Sequence, residues 1–178
     1  MMKAVVRFFR RRAIKSFLKH KKHCILPDIS KYPTVAVLLD KNQYAQHKEI
    51  EQTMTRLFAL KRYAFIVIND EKATNVPQND NSVFIFKDDF NFWGLIKAEK
   101  HDMIKEMSYD MVVDFSKSSD ELLTHSYVMT LINNTFRVTF GSTCPSLYDM
   151  VIDSKKDDNM LNRIQILHNY LLMLLGRR

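Results

Sequence analysis

Polar side chains able to do chemistry follow several apolar runs of this sequence, at the point where each run ends. The candidate ligand-binding residues are Asp40, Asn69, Asp114, Ser116 and Ser142. If the runs are parallel strands, their carboxyl ends meet at one edge of a sheet, where open α/β sheets bind their ligands. Carboxylates gathered there could bind a divalent cation or carry out acid–base work. The alternative is structural, because Asp, Asn and Ser at strand ends commonly cap the next helix or form the turn.

Glycine is scarce in this chain, with only Gly94, Gly141 and Gly176 present. Loops that cradle phosphates need several positions where the backbone approaches the ligand without a Cβ atom. The patterns G-x-G-x-x-G, G-x-x-x-x-G-K-[ST] and G-x-S-x-G do not occur. We therefore predict no dinucleotide loop, no P-loop and no hydrolase nucleophile, and we expect no catalytic residue and no cofactor.

Histidine and cysteine come close together only at His20, His23 and Cys24. Structural zinc needs four ligands, and no second pair follows at a usable spacing. The neighbouring lysines would also repel a cation, so we expect no metal site. Isolated histidines such as His125 are predicted to lie on helix surfaces or to be partly buried.

Apolar runs alternate with amphipathic stretches along most of the chain. The runs predict strands over residues 34–40, 64–70, 82–89, 111–116, 135–141 and 147–153. Helical spacing of apolar residues predicts helices over 47–61 and 97–107, from about residue 120, and from about 158 to 175. This alternation favours a mostly parallel sheet with helices on both faces. The predicted fold class is α/β, a three-layer α/β/α Rossmann-like domain with about six strands.

The tetrapeptide YDMV occurs at Tyr109–Val112 and again at Tyr148–Val151. Each copy leads to an aspartate and then to a predicted helix, so both are typical of a strand followed by a helix. Identical residues in two buried strands of one sheet need only the same environment, and the flanking sequences do not match. We interpret the repeat as structural and not as two copies of a working site.

Positive charge is concentrated in residues 1–27, which hold nine of the 27 lysines and arginines and no carboxylate. The rest of the chain holds the other 18 basic residues and all 20 acidic residues, so its net charge is −2. Within the basic segment, apolar and basic residues separate onto different sides of a helix. We therefore divide the chain into a basic amphipathic helix over 1–27 and a single α/β domain over 28–178.

A basic amphipathic helix with phenylalanines can lie on an anionic membrane, its apolar face at the acyl boundary. The residues predicted to contact an anionic surface are Arg7, Arg10, Arg11, Arg12, Lys15, Lys19 and Lys22. The same helix could instead bind a protein partner or pack on the sheet. Nucleic acid is disfavoured because no recognition fold follows. The last predicted helix has an apolar stripe broad enough for a homodimer contact in addition to the core.

Aromatic residues cluster in the segment DFNFWG, Asp89–Gly94, just after the third predicted strand. Phe90, Phe92 and Trp93 could form a surface that stacks on a ligand or a partner. They could also fold back over the edge of the sheet and close the core. The second arrangement is the one that we expect.

Several of these segments resemble an uncharacterised family of small Gram-negative bacterial proteins, a domain of unknown function. The carriers are the basic start with Phe8–Ile14, then VAVLLD, DFNFWG, YDMVVDF, FRVTFG and LYDMVI, so the resemblance covers nearly the whole chain. It implies no catalytic or binding residue. More distantly, YDMVVDFS, a helix and FRVTFG are similar in order to the N-terminal, acceptor-side half of heptosyltransferase-like glycosyltransferases. Those enzymes have a Gln-Gly pair where Phe115, Ser116 and Lys117 stand here, so the likeness implies a Rossmann-like sheet and not the activity.

The sequence shows no secretory signal and no apolar run long enough to cross a membrane, and two cysteines are too few for a disulfide framework. We therefore expect a cytoplasmic protein, peripheral on the inner membrane if its basic helix binds there. The predicted function is a non-enzymatic binding or adaptor module. The alternative is a transferase-like or nucleotide-handling enzyme that uses the crevice at the carboxyl ends of the strands.

Overall fold

Among the residues that the structure describes, a single six-stranded sheet, parallel throughout, forms the centre of the protein. The computed structural model describes residues 2–21, 24–31, 33–69, 71, 81–115, 119–141, 144–153 and 159–176. The strands are β1 (Thr34–Asp40), β2 (Arg62–Asn69), β3 (Ser82–Phe86), β4 (Ser108–Asp114), β5 (Asn133–Thr139) and β6 (Met150–Val151). Their order is β3-β2-β1-β4-β5-β6, the order of doubly wound dinucleotide-binding sheets. The predicted α/β class is confirmed.

Helices cover both faces of this sheet. They are α1 (Met2–Lys19), α2 (Lys41–Tyr44), α3 (His47–Phe58), α4 (Ala98–Glu106), α5 (Ser119–Met129) and α6 (Met160–Leu175). One apolar core lies between the sheet and the pair α3 and α6, and a second lies between the sheet and α1, α4 and α5. The three-layer α/β/α architecture predicted from the alternation of elements is therefore confirmed.

The central strand β1 explains why Val35–Leu39 of the run TVAVLLD is apolar without interruption. Val37 and Leu39 face the core under α3 and α6, whereas Ala36 and Leu38 face the opposite core. A strand covered on both faces must be apolar at every position, because successive side chains point to opposite sides. The first polar residue, Asp40, comes where this cover ends.

Two strands are shorter than the sequence predicts. The run 82–89 ends as a strand at Phe86, because Asp89 Oδ2 accepts a hydrogen bond from the Phe86 amide at 2.8 Å. That bond turns the chain into a 3₁₀ turn over Lys87–Asp89. The run 147–153 contributes only β6, because another 3₁₀ turn over Pro145–Leu147 precedes it.

The two copies of YDMV lie in one sheet, in β4 and around β6, on either side of β5. In the first copy, Asp110 Oδ2 accepts a hydrogen bond from the Thr34 amide of β1 at 2.7 Å. In the second, Asp149 Oδ2 accepts one from the Arg137 amide of β5 at 2.8 Å. Each aspartate thus binds the backbone of the neighbouring strand, and the repeat records a repeated strand environment.

Helix α1 packs on the sheet beside α5 and forms part of its layer. Ile14 is only 3% exposed, and Phe17 and Leu18 pack against the same core as partly buried residues. Just after the helix, Lys21 Nζ lies 2.7 Å from Oδ1 of Asp149, a carboxylate that is almost fully buried. Docking on the sheet was one of the arrangements that the sequence left open for this helix.

Candidate functional site

At the carboxyl edge of the sheet, the side chains of Asp40 and Asn69 accept hydrogen bonds from nearby backbone amides. Asp40 caps α2, because its carboxylate accepts a hydrogen bond from the Gln43 amide at 2.8 Å while Gln43 Oε1 accepts one from the Asp40 amide at 2.9 Å. Asn69 Oδ1 accepts a hydrogen bond from the Glu71 amide at 3.0 Å. Both side chains therefore make the cap and turn contacts that were the structural alternative to ligand binding.

The crevice between β1 and β4 is the place where doubly wound sheets bind their ligands, because the strand order reverses there. Here Gln43 Nε2 donates a buried hydrogen bond to the Phe115 carbonyl oxygen at 2.6 Å, and the Phe115 amide donates to the Leu38 carbonyl oxygen at 3.1 Å. Residues 40–43 read DKNQ, without the glycines that let a pyrophosphate approach the backbone. A hydrogen-bonded side chain thus closes the floor of the crevice.

Asp114 lies on the side of β4 that faces α5, inside the core. Its Oδ1 lies 2.9 Å from His125 Nδ1, and its Oδ2 accepts a hydrogen bond from the Tyr148 hydroxyl at 2.5 Å. Asp114 and His125 have no solvent exposure. Burial, together with the charge and hydrogen bond of the Asp114 carboxylate, raises the pKa of Tyr148 far above the ordinary tyrosine value. The prediction of a surface or partly buried His125 is wrong, because Asp114 provides a partner for its imidazole inside the core.

A carboxylate paired with an imidazole can act as a general acid–base pair in an open site. His125 Nε2 is buried and makes no hydrogen bond to any described residue. A catalytic base must come within hydrogen-bond reach of a substrate, and neither side chain is exposed to solvent. We therefore interpret the pair as a link between β4 and α5.

The remaining ligand-binding predictions cannot be placed, because Ser116 and Ser142 lie outside the described residues. In the part of the chain that the structure describes, no group of three or more His, Cys, Asp or Glu side chains is arranged to hold a metal ion.

The side of α1 that points away from the sheet is basic. Arg11, Arg12, Lys15 and Lys19 are exposed, and their side chains form no ion pair with any other described residue. They follow Phe8 at intervals of three and four residues, so they lie on one side of the helix with it. Phe8 is itself 59% exposed. We call these five residues the basic face.

The other residues predicted to contact an anionic surface differ in position. Arg7 is exposed one turn before Arg11. Arg10 is half-buried, because its Nε donates to the Gly94 carbonyl oxygen at 2.9 Å and its Cζ lies 5.0 Å from the centroid of the Phe90 ring. Arg10 therefore joins α1 to the segment after β3. Lys22 lies outside the described residues.

The segment after β3, residues 90–96, forms a loop that we call the aromatic loop. Its aromatic residues divide between the two arrangements that the sequence allowed. Phe90 packs against the core as a partly buried residue, as expected, but the expectation is wrong for Phe92 and Trp93, which are exposed to 69% and 46%. The Trp93 ring contacts Phe9 of α1, with 4.8 Å between the ring centroids. The aromatic loop and the outer side of α1 are therefore parts of one surface.

Sequence reasoning missed the side chains that hold the basic segment on the sheet. Asp149 binds Lys21, and the Arg137 guanidinium lies over the Phe17 ring, 4.8 Å from its centroid. These residues belong to elements far apart in the sequence, so no local pattern marks them. The one available signal was Arg137 in the middle of the apolar run FRVTFG, because a charge in a buried strand needs a partner.

Among the described residues, no helix combines the length and apolar composition needed to cross a bilayer. No curated protein and no solved structure matches this chain. A family model described as a family of unknown function, DUF6913, matches residues 7–174, which include most of α1 and the whole sheet. The chain therefore belongs to DUF6913, a family of unknown function.

Proposed function

We propose that this protein is a non-enzymatic binding module that attaches peripherally to an anionic membrane, at the cytoplasmic surface of the inner membrane, through the basic face of α1. The observation that carries the proposal is the way in which α1 is anchored. Its apolar side lies in the core at Ile14, so Arg11, Arg12, Lys15 and Lys19 are presented to solvent from a fixed helix.

Charge is the main source of affinity in this arrangement. Each basic residue close to an anionic leaflet contributes about 1 kcal/mol, so four of them supply about 4 kcal/mol. The rest of the chain beyond residue 27 carries a net charge of −2, and this asymmetry turns α1 towards a negative surface. Because exposed charges are screened, the affinity falls as salt rises.

The packing of α1 changes how the helix meets a membrane. Ile14 and Phe17 face the protein core, so this apolar side does not enter the acyl boundary. The helix instead lies on the headgroups with its basic face. Cys24 and Cys144 are not joined in a disulfide bond, which suits the reducing compartment in which this surface would be found.

The test compares two variants with the same change of charge. The first replaces Arg12, Lys15 and Lys19 of the basic face by Gln. The control replaces Lys48, Arg56 and Lys61, which are exposed on or next to α3 on the opposite face of the sheet, by Gln. Co-sedimentation is measured with vesicles of equal parts phosphatidylcholine and phosphatidylglycerol, and with pure phosphatidylcholine. Deletion of α1 is unsuitable because it would expose the core around Ile14.

We expect the wild-type protein to bind the anionic vesicles at low salt and not the neutral ones. The basic-face variant should lose about a hundredfold in affinity, since three contributions of about 1 kcal/mol are removed. The control variant should bind like the wild type. Failure of the wild type to bind at low salt, or an equal loss in both variants, would show that the proposal is wrong.

A further inference from the structure

Resting on that proposed function, we propose that the tip of the aromatic loop, Phe92 and Trp93, enters the interfacial layer of the bilayer beside the basic face. The partner of this surface is then a lipid bilayer, recognised by its headgroup charge and by its acyl boundary together. A soluble polyanion offers only the first of these.

The aromatic side chains form one continuous cluster, in which Phe8, Phe92 and Trp93 are exposed and Phe9 is partly buried. Phe8 on the basic face contacts Phe9 with 5.4 Å between ring centroids, Phe9 contacts Trp93 at 4.8 Å, and Trp93 contacts Phe92 at 5.2 Å. Arg12 lies one helical turn beyond both Phe8 and Phe9. Cations of the basic face therefore lie beside the aromatic cluster. Basic and aromatic residues in such proximity are typical of segments that lie at a membrane interface.

The loop is built to hold its tip outward. Asn91 Oδ1 accepts hydrogen bonds from the amides of Trp93 and Leu95 at 2.9 and 3.1 Å. The Asn91 amide donates to the Leu95 carbonyl oxygen at 2.8 Å, and the Gly94 amide donates to the Asn91 carbonyl oxygen at 2.9 Å. Gly94 adopts a positive φ of 75°, which completes the tight turn. These bonds keep Phe92 and Trp93 exposed, although apolar collapse would otherwise draw them against the protein.

The same loop is fixed to α1, so the aromatic tip and the basic face keep their relative positions. Arg10 donates to the Gly94 carbonyl oxygen and lies over the Phe90 ring. At the other end of its guanidinium, Nη1 donates to Thr124 Oγ1 of α5 at 2.5 Å. One half-buried cation thus ties the loop, α1 and α5 together, while the exposed cations of the basic face remain on the outer side.

Ring geometry favours a bilayer over single-stranded nucleic acid. Bases stack on exposed ring faces. Here two of the three ring contacts are edge to face, at 86° between Phe8 and Phe9 and 81° between Phe92 and Trp93, and the Phe9–Trp93 contact is tilted at 53°. They form a cluster at a loop tip and on the outside of a helix, without a flat stacking platform. Burial in an interfacial layer depends on apolar area alone and does not need such a platform.

Trp93 is the single tryptophan of the chain, so its fluorescence reports on this loop alone. The full chain is mixed with vesicles of equal parts phosphatidylcholine and phosphatidylglycerol, with or without bromine on the acyl chains. We expect the Trp93 emission to shift to shorter wavelength on the anionic vesicles and to be quenched by the brominated lipid. The variant Phe92→Ala keeps the reporter and should bind about tenfold more weakly, because an exposed aromatic ring no longer enters the interface.

Tyr170→Ala is the matched control, since Tyr170 is 46% exposed on α6 at the opposite face of the sheet. It should bind like the wild type. If the protein co-sediments with anionic vesicles while the Trp93 emission is unchanged and unquenched, the inference is wrong and the proposed function stands. If it does not co-sediment, both are wrong. A Trp93 response to single-stranded oligonucleotides but not to vesicles would overturn the inference in favour of nucleic acid.

Discussion

Gly94 of the aromatic loop packs directly against Val6 of α1: a Cβ atom placed on Gly94 would stand 2.3 Å from Cγ1 of Val6. Gly94 also has a φ of +75°, a backbone conformation that residues with side chains rarely adopt. The position therefore requires glycine for two independent reasons. It is the point at which the loop and the helix of the proposed membrane surface fit together.

Gly94→Ala should lower the free energy of unfolding by about 2–5 kcal/mol. The left-handed backbone accounts for about 1–2 kcal/mol, and the overlap with Val6 adds an overpacking cost of about 1–3 kcal/mol. Urea denaturation measures the change. Gly141→Ala is the control, because a Cβ atom at Gly141 has no neighbour within 4 Å, and this variant should stay within about 0.5 kcal/mol of the wild type. Equal effects at both positions would contradict the close packing of loop and helix.

Arg10 and Arg12 are close in sequence, but the structure gives them different environments, so their substitutions should separate stability from membrane binding. Arg10→Met removes hydrogen bonds from a charged donor to Gly94 and Thr124 and should lower stability by about 1.5–3 kcal/mol. Arg12→Met should leave stability unchanged and weaken binding to anionic vesicles about fivefold. Thermal unfolding and co-sedimentation measure the two properties. The opposite pattern would contradict the structural role of Arg10 and the membrane-binding role of Arg12.

Tyr148 should make stability fall at high pH. Burial and the Asp114 carboxylate raise the pKa of Tyr148 in the folded protein, whereas an unfolded tyrosine titrates near pH 10. The unfolded chain therefore loses this proton first, and the contribution of Tyr148 is complete below pH 10 and decreases above it by about 1.4 kcal/mol per pH unit. Tyr148→Phe should remove this part of the slope.

Chemical denaturation of the wild type and of Tyr148→Phe tests this over roughly pH 8 to pH 11, the range in which tyrosine titrates. Near neutral pH the variant should also be less stable by about 1.5–3 kcal/mol, because the buried Asp114 loses a hydrogen bond. Tyr170→Phe, at an exposed hydroxyl, is the control and should follow the wild type. Parallel pH curves for the wild type and Tyr148→Phe would refute the assignment.

The homodimer contact through α6 stays a prediction. Leu172, Met173 and Leu174 are exposed near the end of this helix, in a stretch from 164 to 176 without Asp, Glu, Lys or Arg. We propose a second copy of the chain as the partner, because an uncharged face can meet its own copy without bringing like charges together. Sedimentation equilibrium should show a dimer for the wild type and a monomer for Leu172→Glu combined with Met173→Glu. Met103→Glu, at an exposed position of α4, is the control, and a monomeric wild type would make the prediction wrong.

Most helices and strands could be predicted because their signals are local, whereas the short helix α2 was not predicted. The apolar run of β1 and the helical spacing of α6 are visible in single windows of sequence. The run 147–153 misled because its tyrosine and leucine are buried by the core and not by strand pairing, and Pro145 begins a 3₁₀ turn just before it. Length and composition of an apolar run do not reveal how much of it is hydrogen-bonded to a neighbouring strand.

The candidate site was less accessible to sequence reasoning. The basic residues of α1 were identified by their types. That Arg10 is half-buried while Arg12 is exposed depends on contacts with Gly94, 84 residues away from Arg10. The position of His125 in the core depends on Asp114, and the exposure of Phe92 and Trp93 depends on the bonds of Asn91. None of these contacts leaves a mark in a short window of sequence.

The amino-acid sequence by itself determined the α/β class, the parallel sheet and the concentration of positive charge in residues 1–27. Periodicity, apolar run length and charge are properties of neighbouring residues, so they can be read without coordinates. Only the tertiary structure decided which side of α1 is buried, which aromatic rings reach solvent and which polar side chains pair inside the core. Packing between segments that are distant in the sequence sets those outcomes, because each buried polar group needs a hydrogen-bond partner.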